Sequence, residues 1–270
     1  ISACLVGSEM CIRDSGNLDL IVSHNGTGAA SNQGVTVLLG NGNGTFQAGK
    51  EYLAGTHASA VAVGDFDNDG HPDIVVANDQ TAGQVIELLN DGAGNLTTGG
   101  TFSVVADPTA LAVGDFNRDG FLDVVAVGGD PGANQSISVL LNNGNTGLNA
   151  GFNGAVNTVL PTGFPVNSVT IANVNQDAFP DLVIGVQPRT ITNVTVAAGV
   201  VTVTTNTTDM AVGQKVTILG VQGPTGVNGV WTVTKIVDAN NFQFTSASAT
   251  GSYTSGGFWF SGAGAADNLY

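Results

Sequence analysis

The chain has 270 residues and a net charge of -15, with 21 Asp and Glu residues against 6 Lys and Arg residues. Because phosphate groups are bound by clusters of Lys and Arg, this balance argues against nucleic acid and anionic membrane surfaces as partners. No apolar run approaches the roughly 20 residues of a membrane helix, while abundant Gly and short alternating runs of Val and Thr favour an all-β fold with many turns.

The first fifteen residues differ from the rest of the chain. The stretch "GSEMCIRDS" (7–15) resembles the translated end of a sequencing-library transposon. We therefore predict that residues 1–15 are an artefact outside the fold, and a genuine N-terminal strand is the alternative. Both cysteines, Cys4 and Cys11, lie in this stretch, so the remaining chain offers no thiol for a disulfide or a metal.

An acidic segment recurs along the chain. The segment "VAVGDFDNDGHPDIVVA" (61–77) is repeated closely by "LAVGDFNRDGFLDVVAV" (111–127) and more weakly by "TIANVNQDAFPDLVIGV" (170–186), and "SGNLDLIVS" (15–23) keeps the tail of a fourth copy. The last aspartates of these copies, at 19, 73, 123 and 181, are 54, 50 and 58 residues apart. A period of this length indicates a repeat architecture.

Each period contains the pattern of four short strands. In residues 59–106 these are "SAVAVGDF", "DIVVAN", "QVIELLN" and "TTGGTFSVV", with the acidic loop after the first and the turn "DGAGN" after the third. Helical periodicity is absent. Four antiparallel strands about every 50 residues predict the blades of a β-propeller.

The acidic loop has the spacing of a calcium ligand set. Asp65, Asp67 and Asp69 alternate along the chain, Gly70 permits a tight bend, and Asp73 follows. Clustered like charges repel unless a cation lies among them, and hard oxygen donors suit Ca²⁺. A solvated acidic turn is the alternative for a single copy, but the recurrence favours a metal site.

These motifs resemble a known family. "VAVGDFDNDGHPDIVVAN" and "VTVLLGNGNGTFQ" (35–47) are similar to the FG-GAP, or VCBS, repeats of bacterial surface proteins, which resemble the calcium-bearing blades of integrin α subunits. The resemblance covers residues 16–189 and implies calcium binding and a secreted or cell-surface location. Two complete blades between two partial ones would then make this chain a fragment, and the remaining blades of a longer protein would be its partners.

The predicted ligands form three sets that decrease in charge. The third set has Ala178 where the family pattern has Gly, which places its calcium binding in doubt. The first two sets include the backbone carbonyls of His71 and Phe121, and the third includes that of Phe179. The sets are Asp65, Asp67, Asp69, His71 and Asp73; Asp115, Asn117, Asp119, Phe121 and Asp123; and Asn173, Asn175, Asp177, Phe179 and Asp181.

The repeat pattern stops near residue 190. Residues 190–258 show alternating Val and Thr strands without clustered acids, and we predict that they form an inserted small all-β module. Extra strands of the blade itself are the alternative. The segment "ADNLY" (266–270) resembles the start of a blade's third strand, so residues 259–270 are expected to resume the last blade.

The function expected from these features is a calcium-stabilised extracellular scaffold for adhesion or for binding a protein or glycan, without catalytic activity. The rival is the propeller domain of a secreted polysaccharide lyase or hydrolase, which would need paired catalytic groups. The histidines (His24, His57 and His71) share no motif, and nothing in the sequence pairs Asp107 with Asp130. Glycan recognition would use exposed aromatic residues, for which Trp231, Phe258 and Trp259 are candidates that are more often core residues.

Overall fold

The computed structural model describes most of the chain. The described residues are 2–3, 12, 16–24, 33–79, 82–129, 135–145, 151–160, 166–177, 179–186, 189–205, 207 and 210–261. In these ranges every regular element is a β-strand, and no helix is long and apolar enough to cross a membrane.

The strands fall into two compact units. The first unit comprises Ile1–Asp130, Ser136–Val159 and Val166–Gly185, and the second is centred on Val186–Tyr270. The strands of the first unit are β1 (Ser2–Ala3), β2 (Leu20–His24), β3 (Gly34–Leu38), β4 (Lys50–Leu53), β5 (Ala58–Gly64), β6 (Asp73–Asn78), β7 (Gln84–Asn90), β8 (Leu96–Ser103), β9 (Pro108–Gly114), β10 (Asp123–Gly128), β11 (Ser136–Leu140), β12 (Val156–Val159), β13 (Val166–Ala172) and β14 (Asp181–Val186).

The first unit consists of consecutive antiparallel sheets, as the repeat pattern predicts. Strands β1 to β4, β5 to β8 and β9 to β12 form three four-stranded sheets in chain order, and β13 pairs with β14. The acidic loops 65–72, 115–122 and 173–180 each join the first strand of a sheet to the second. Consecutive pairing within each sheet is the topology of a propeller blade, and the all-β fold class is confirmed.

The apolar core of this unit lies between neighbouring sheets. The second strands β6 and β10 are buried along their whole length, which explains their unbroken apolar sequences "DIVVAN" and "DVVAVG". Ile74 and Val76 pack toward the first sheet, whereas Val75 belongs to the cluster shared with the third sheet. Alternate residues of one strand therefore fill two different cores, because strand side chains point to opposite faces.

The first fifteen residues contribute to the first sheet. Ser2 of β1 lies opposite Ser23 of β2, and Ile12 is fully buried in the core between the first and second sheets. The backbone carbonyl of Ile12 accepts a hydrogen bond from Asn90, just as that of Phe66 does from Asn142 in the next repeat. This placement differs from our expectation that residues 1–15 lie outside the fold. An apolar side chain occurs at the position that the core requires.

The second unit is a separate pair of four-stranded sheets. Its strands are β15 (Arg189–Thr190), β16 (Asn193–Ala197), β17 (Val200–Thr204), β18 (Lys215–Leu219), β19 (Gly229–Thr232), β20 (Lys235–Asp238), β21 (Asn241–Thr245) and β22 (Phe258–Ser261). The sheets have the strand orders β15-β22-β18-β19 and β16-β17-β21-β20. One core cluster, which includes Phe242, Phe244 and Trp259, fills this unit.

The boundary of this module differs from the predicted one at its C-terminal end. We expected residues 259–270 to resume the last blade, but Trp259 lies opposite both Arg189 and Ile218 within the module. Trp259 is only 3% exposed, and its Nε1 donates to Thr205 Oγ1 at 2.9 Å. Burial of this large side chain fixes β22 in the module, and residues 262–270 lie outside the described residues.

Candidate metal centre

The first acidic loop bends at two residues. Asn68 and Gly70 have left-handed backbone conformations, with φ of 56° and 91°. Asn tolerates this region better than most side chains, and Gly has no Cβ to oppose it. A Cβ at Gly70 would meet nothing within 4 Å, so the loop requires the conformational freedom of glycine rather than its small size. The sequence had suggested only the bend at Gly70.

Carboxylates inside the loop hold its backbone. Asp65 accepts hydrogen bonds from the Asp69 amide at 3.1 Å through Oδ1 and from the Gly70 amide at 3.0 Å through Oδ2. Asp67 Oδ1 accepts from the Asp69 amide at 3.2 Å, and Asp69 Oδ1 accepts from the His71 amide at 2.8 Å. The chain therefore curls around the side chains of its own aspartates.

Asp73 anchors the loop at the start of β6. Its side chain is fully buried, Oδ2 accepts from the Phe66 amide at 3.0 Å, and Oδ1 accepts from the Asn90 amide at 2.8 Å. Burial is the main cause that raises the pKa of Asp73 to about 7; the two amide hydrogen bonds oppose this shift, and the charges of Asp67 and Asp69 add to it. A nearby cation would lower this pKa by favouring the carboxylate form.

Three carboxylates of this loop converge. Oxygens of Asp65, Asp67 and Asp73 all lie within 4.8 Å of one another, and among the described residues this is the only such group of three or more His, Cys, Asp or Glu side chains. Calcium–oxygen distances of about 2.4 Å allow two ligands of one ion to lie up to about 4.8 Å apart, so this group is compatible with one Ca²⁺. Asp69, which we also predicted as a ligand, is not in this group.

The second loop repeats the backbone of the first. Arg118 and Gly120 have φ of 63° and 90°, and Asp115 accepts from the amides of Asp119 and Gly120 at 3.1 and 3.0 Å. Asn117 Nδ2 donates to Asp119 Oδ2 at 2.8 Å. An amide thus bonds to a carboxylate where the first loop has two acids, which lowers the charge of the second loop.

Asp123 takes the place of Asp73 in the second loop. It is fully buried and accepts from the amides of Phe116 and Asn142, both at 2.8 Å. Burial raises the pKa of Asp123, and its two amide hydrogen bonds oppose the shift. In both repeats the last aspartate therefore has a structural role in addition to its predicted role as a ligand.

The third loop is more exposed and is closed by amides. Asn175 Nδ2 donates to Asp177 Oδ2 at 2.9 Å, and Asn173 Nδ2 donates to the backbone oxygen of Asp177. Asp181 is half-buried, unlike its counterparts, and accepts from the Val174 amide at 2.9 Å. Ala178 lies outside the described residues, and the ligand roles of the carbonyls of His71, Phe121 and Phe179 stay predictions.

Sequence reasoning missed two buried residues next to these loops. Asn142 follows β11 and bonds to both the first and the second loop. Glu87 on β7 is fully buried, and neither of its carboxylate oxygens has a hydrogen-bond partner. Asn142 could have been found from the sequence, because "LLN" occurs at or just after the end of the third strand in both complete repeats. Glu87 occurs in one repeat only and left no periodic signal.

The remaining candidates within the described residues do not form a second centre of this kind. Trp231 stacks on Phe244 with 4.6 Å between ring centroids, and Trp259 is buried, so both are core residues. Asp107 shares a side-chain hydrogen bond with Asp79, and burial raises the pKa of Asp79. Sequence had suggested no partner for Asp107, and Asp130 lies outside the described residues.

The fold and the loops define a class of protein, an all-β repeat protein with an acidic loop between the first two strands of each blade-like sheet. Residues 14–76 and 65–126 each match the family model of the FG-GAP-like repeat. Residues 14–126 therefore contain FG-GAP-like repeats, and the matched region includes both the first acidic loop and the second. No curated protein matches the chain.

Proposed function

We propose that this protein is a calcium-stabilised extracellular scaffold that serves adhesion or the binding of a protein or glycan. One observation carries the proposal: the side chains of Asp65, Asp67 and Asp73 converge inside an FG-GAP-like repeat at distances compatible with one Ca²⁺. FG-GAP repeats are typical of extracellular or surface proteins, and millimolar calcium outside cells would fill even weak sites.

Calcium in this loop would act as a structural staple. Asp65 and Asp67 belong to the loop, whereas Asp73 belongs to β6 and is fixed by amides of two different segments. An ion held by all three carboxylates would therefore fasten the loop to the sheet. It would also oppose the effects of burial and of the neighbouring charges, which raise the pKa of Asp73.

A scaffold fits the described side chains better than a glycosidase. Glycoside hydrolases hold two carboxyl groups about 5 to 9.5 Å apart, so that the sugar bond or a water lies between them. Burial and the neighbouring Asp107 side chain raise the pKa of Asp79, so these two carboxyl groups lie close enough to interact directly. The pair is therefore better suited to joining two strand ends than to flanking a substrate.

A reciprocal exchange of one residue tests the calcium proposal. Asp67→Asn gives the first loop the side-chain ligands of the second, and Asn117→Asp gives the second loop those of the first. Because calcium affinity rises with ligand charge, calorimetric titration should give weaker binding at the first loop after Asp67→Asn and tighter binding at the second after Asn117→Asp. Mg²⁺ serves as the control ion, since it demands a more rigid octahedral site.

Thermal unfolding provides the second measurement. A filled loop should stabilise the protein by about 1.4 to 2.7 kcal/mol when free calcium is about 10 to 100 times its Kd. No heat of binding and equal melting temperatures in calcium and in EDTA would contradict the proposal. An immobilised glycan array, probed in calcium and in EDTA, tests the ligand class.

A further inference from the structure

Asn142 is a buried amide that joins two sheets of the first unit. It lies two residues after the end of β11 (Ser136–Leu140), and it is 3% exposed. Its Nδ2 donates to the backbone oxygen of Phe66 at 2.8 Å, in the loop of the preceding repeat, and to that of Leu122 at 3.1 Å. Its Oδ1 accepts from the Gly144 amide at 3.0 Å. Both amide protons and the carbonyl oxygen are therefore used.

The bond to Phe66 reaches the centre of the first acidic loop (residues 65–73, the first metal loop). Phe66 lies between Asp65 and Asp67 in sequence, and it is fully buried. Its own amide donates to Asp73 Oδ2 at 3.0 Å. The peptide groups on both sides of Phe66 are thus held, one by Asp73 of the same repeat and the other by Asn142 of the next.

The backbone of Asn142 contacts the second metal loop. Its amide donates to Asp123 Oδ1 at 2.8 Å, and Asp123 Oδ2 accepts from the Phe116 amide at 2.8 Å. A buried chain of hydrogen bonds therefore runs from Asp73 through Phe66 and Asn142 to Asp123. Such bonds are strengthened in a low-dielectric interior, so a shift at one end is felt at the other.

The neighbouring repeat has the same arrangement without the acidic loop. Asn90 donates through Nδ2 to the Ile12 carbonyl at 2.8 Å, and its amide donates to Asp73 Oδ1 at 2.8 Å. Ile12 is flanked by Cys11 and Arg13 in sequence, so this copy holds a segment without carboxylates on either side. At the junction formed by Asn142, by contrast, both loops are acidic.

We infer that Asn142 is a positioning residue of the first metal loop, supplied by the following repeat, and that it couples calcium binding at residues 65–73 to binding at residues 115–123. This inference rests on the proposed calcium function. Asn142 holds the backbone of Phe66, between two of the three residues with converging carboxylates. This contact lowers the entropy cost of ordering the loop when the ion binds. Coupling between two sites is reciprocal, so each loop binds calcium more tightly when the other is filled.

Affinity of the first loop alone is the first test. Asp115→Asn with Asp119→Asn disables the second loop, and calorimetry then measures Ca²⁺ binding at the first. In this background Asn142→Ala should weaken binding by roughly three- to tenfold, the range expected for one lost hydrogen bond. Asn143→Ala is the matched control, because exposed Asn143 accepts from the nearby Asn145 amide at 2.9 Å within its own turn. Its affinity should equal that of the background protein.

Coupling is tested by the reverse experiment. Disabling the first loop with Asp65→Asn and Asp67→Asn should weaken Ca²⁺ binding at the second loop when Asn142 is present and leave it unchanged in Asn142→Ala. A merely structural Asn142 would lower the melting temperature equally in calcium and in EDTA without changing either affinity. That result would overturn the inference.

Hydrogen exchange without metal separates this inference from the calcium proposal. Asn142→Ala should speed amide exchange at Asp69 and Gly70, in a loop of a different repeat, and Asn143→Ala should not. If Asn142→Ala fails to fold, Asn142→Gly replaces it, since Gly40 occupies the matching position and still donates its amide to Asp19 Oδ1 at 2.7 Å. Unchanged exchange in a folded variant overturns the positioning role. A parent protein that binds no calcium overturns the proposed function and the coupling, whereas faster exchange still supports the positioning role.

Discussion

Glu87 should make the stability of the first unit depend on pH. This side chain is fully buried on β7, and neither carboxylate oxygen has a hydrogen-bond partner. Burial, together with the charges of Asp73 and Asp67, raises the pKa of Glu87 from 4.5 to about 7. Its carboxylate lies over the backbone of Gly99, where a Cβ would fall 2.5 Å from Oε2.

The direction of the effect follows from proton linkage. Below pH 4.5 both the folded and the unfolded chain keep this proton, and above about pH 7 both lose it. Between these values the folded state binds more protons than the unfolded state, so the free energy of unfolding falls as pH rises. A shift of about 2.5 pKa units corresponds to about 3 kcal/mol, of which about 2.5 kcal/mol is lost between pH 5 and pH 8.

The substitution Glu87→Val should remove the pH dependence that Glu87 causes. Valine already occurs at the matching position of other repeats. Val37 and Val139 occupy the matching positions, three residues before Gly40 and Asn142. Urea unfolding in EDTA at about pH 5, 6, 7 and 8 measures the free energy of unfolding of both proteins. The difference between the variant and the parent protein should rise by about 2.5 kcal/mol from the lowest to the highest pH. The gain should be largest at the highest pH.

Glu87→Gln is the matched control. Glutamine keeps the size of the side chain and cannot ionise, so its pH profile should match that of Glu87→Val, and both should keep only the dependence due to other groups such as Asp73. It leaves a buried amide without partners, which costs about 1 to 3 kcal/mol, so Glu87→Gln should be the less stable of the two variants. Parallel pH profiles for the parent protein and both variants would refute the reasoning.

Three further outcomes are expected. Asp67→Ala should remove much of the calcium-induced rise in melting temperature, and Asp181→Ala should remove little, because the first loop carries four acids and the third only two. Equal losses in calorimetric scans of the two variants would contradict this ranking. Gly120→Ala should destabilise the protein by about 1 kcal/mol in urea unfolding because φ at Gly120 is 90°, whereas Gly154→Ala, in open space, should change stability little. A chain truncated after Gly185, where the compact units divide, should keep its calcium-dependent melting, and loss of that transition would show that the module supports the sheets.

Local pattern was sufficient for the second and third sheets of the first unit. The unbroken apolar run "DIVVAN" marked a strand buried on both faces, and the acidic loop before it marked the connection to the first strand. These signals are short-range and repeat every 50 to 58 residues over the last three copies, so each copy supported the reading of the others. The order of strands within these two sheets therefore followed from the repeat.

The limits of the inserted module did not follow from local pattern. Strand β22 begins at Phe258, far along the chain from β15, yet Trp259 lies opposite Arg189. Pairing over such a separation depends on which apolar faces meet in space, and the alternating Val and Thr of several strands allow more than one partner. The sequence thus indicated that a module exists, but its last strand was assigned to the wrong sheet.

The sequence by itself determined which residues carry negative charge and how they are spaced, because both are covalent properties of the chain. Only the tertiary structure decided that Asp65, Asp67 and Asp73 converge while Asp69 bonds to the His71 amide, since convergence depends on backbone conformation at Asn68 as well as at Gly70. The contact of Asn142 with Phe66 joins residues 76 positions apart in sequence. Packing of one sheet against the next brings them together, and no local pattern encodes that distance.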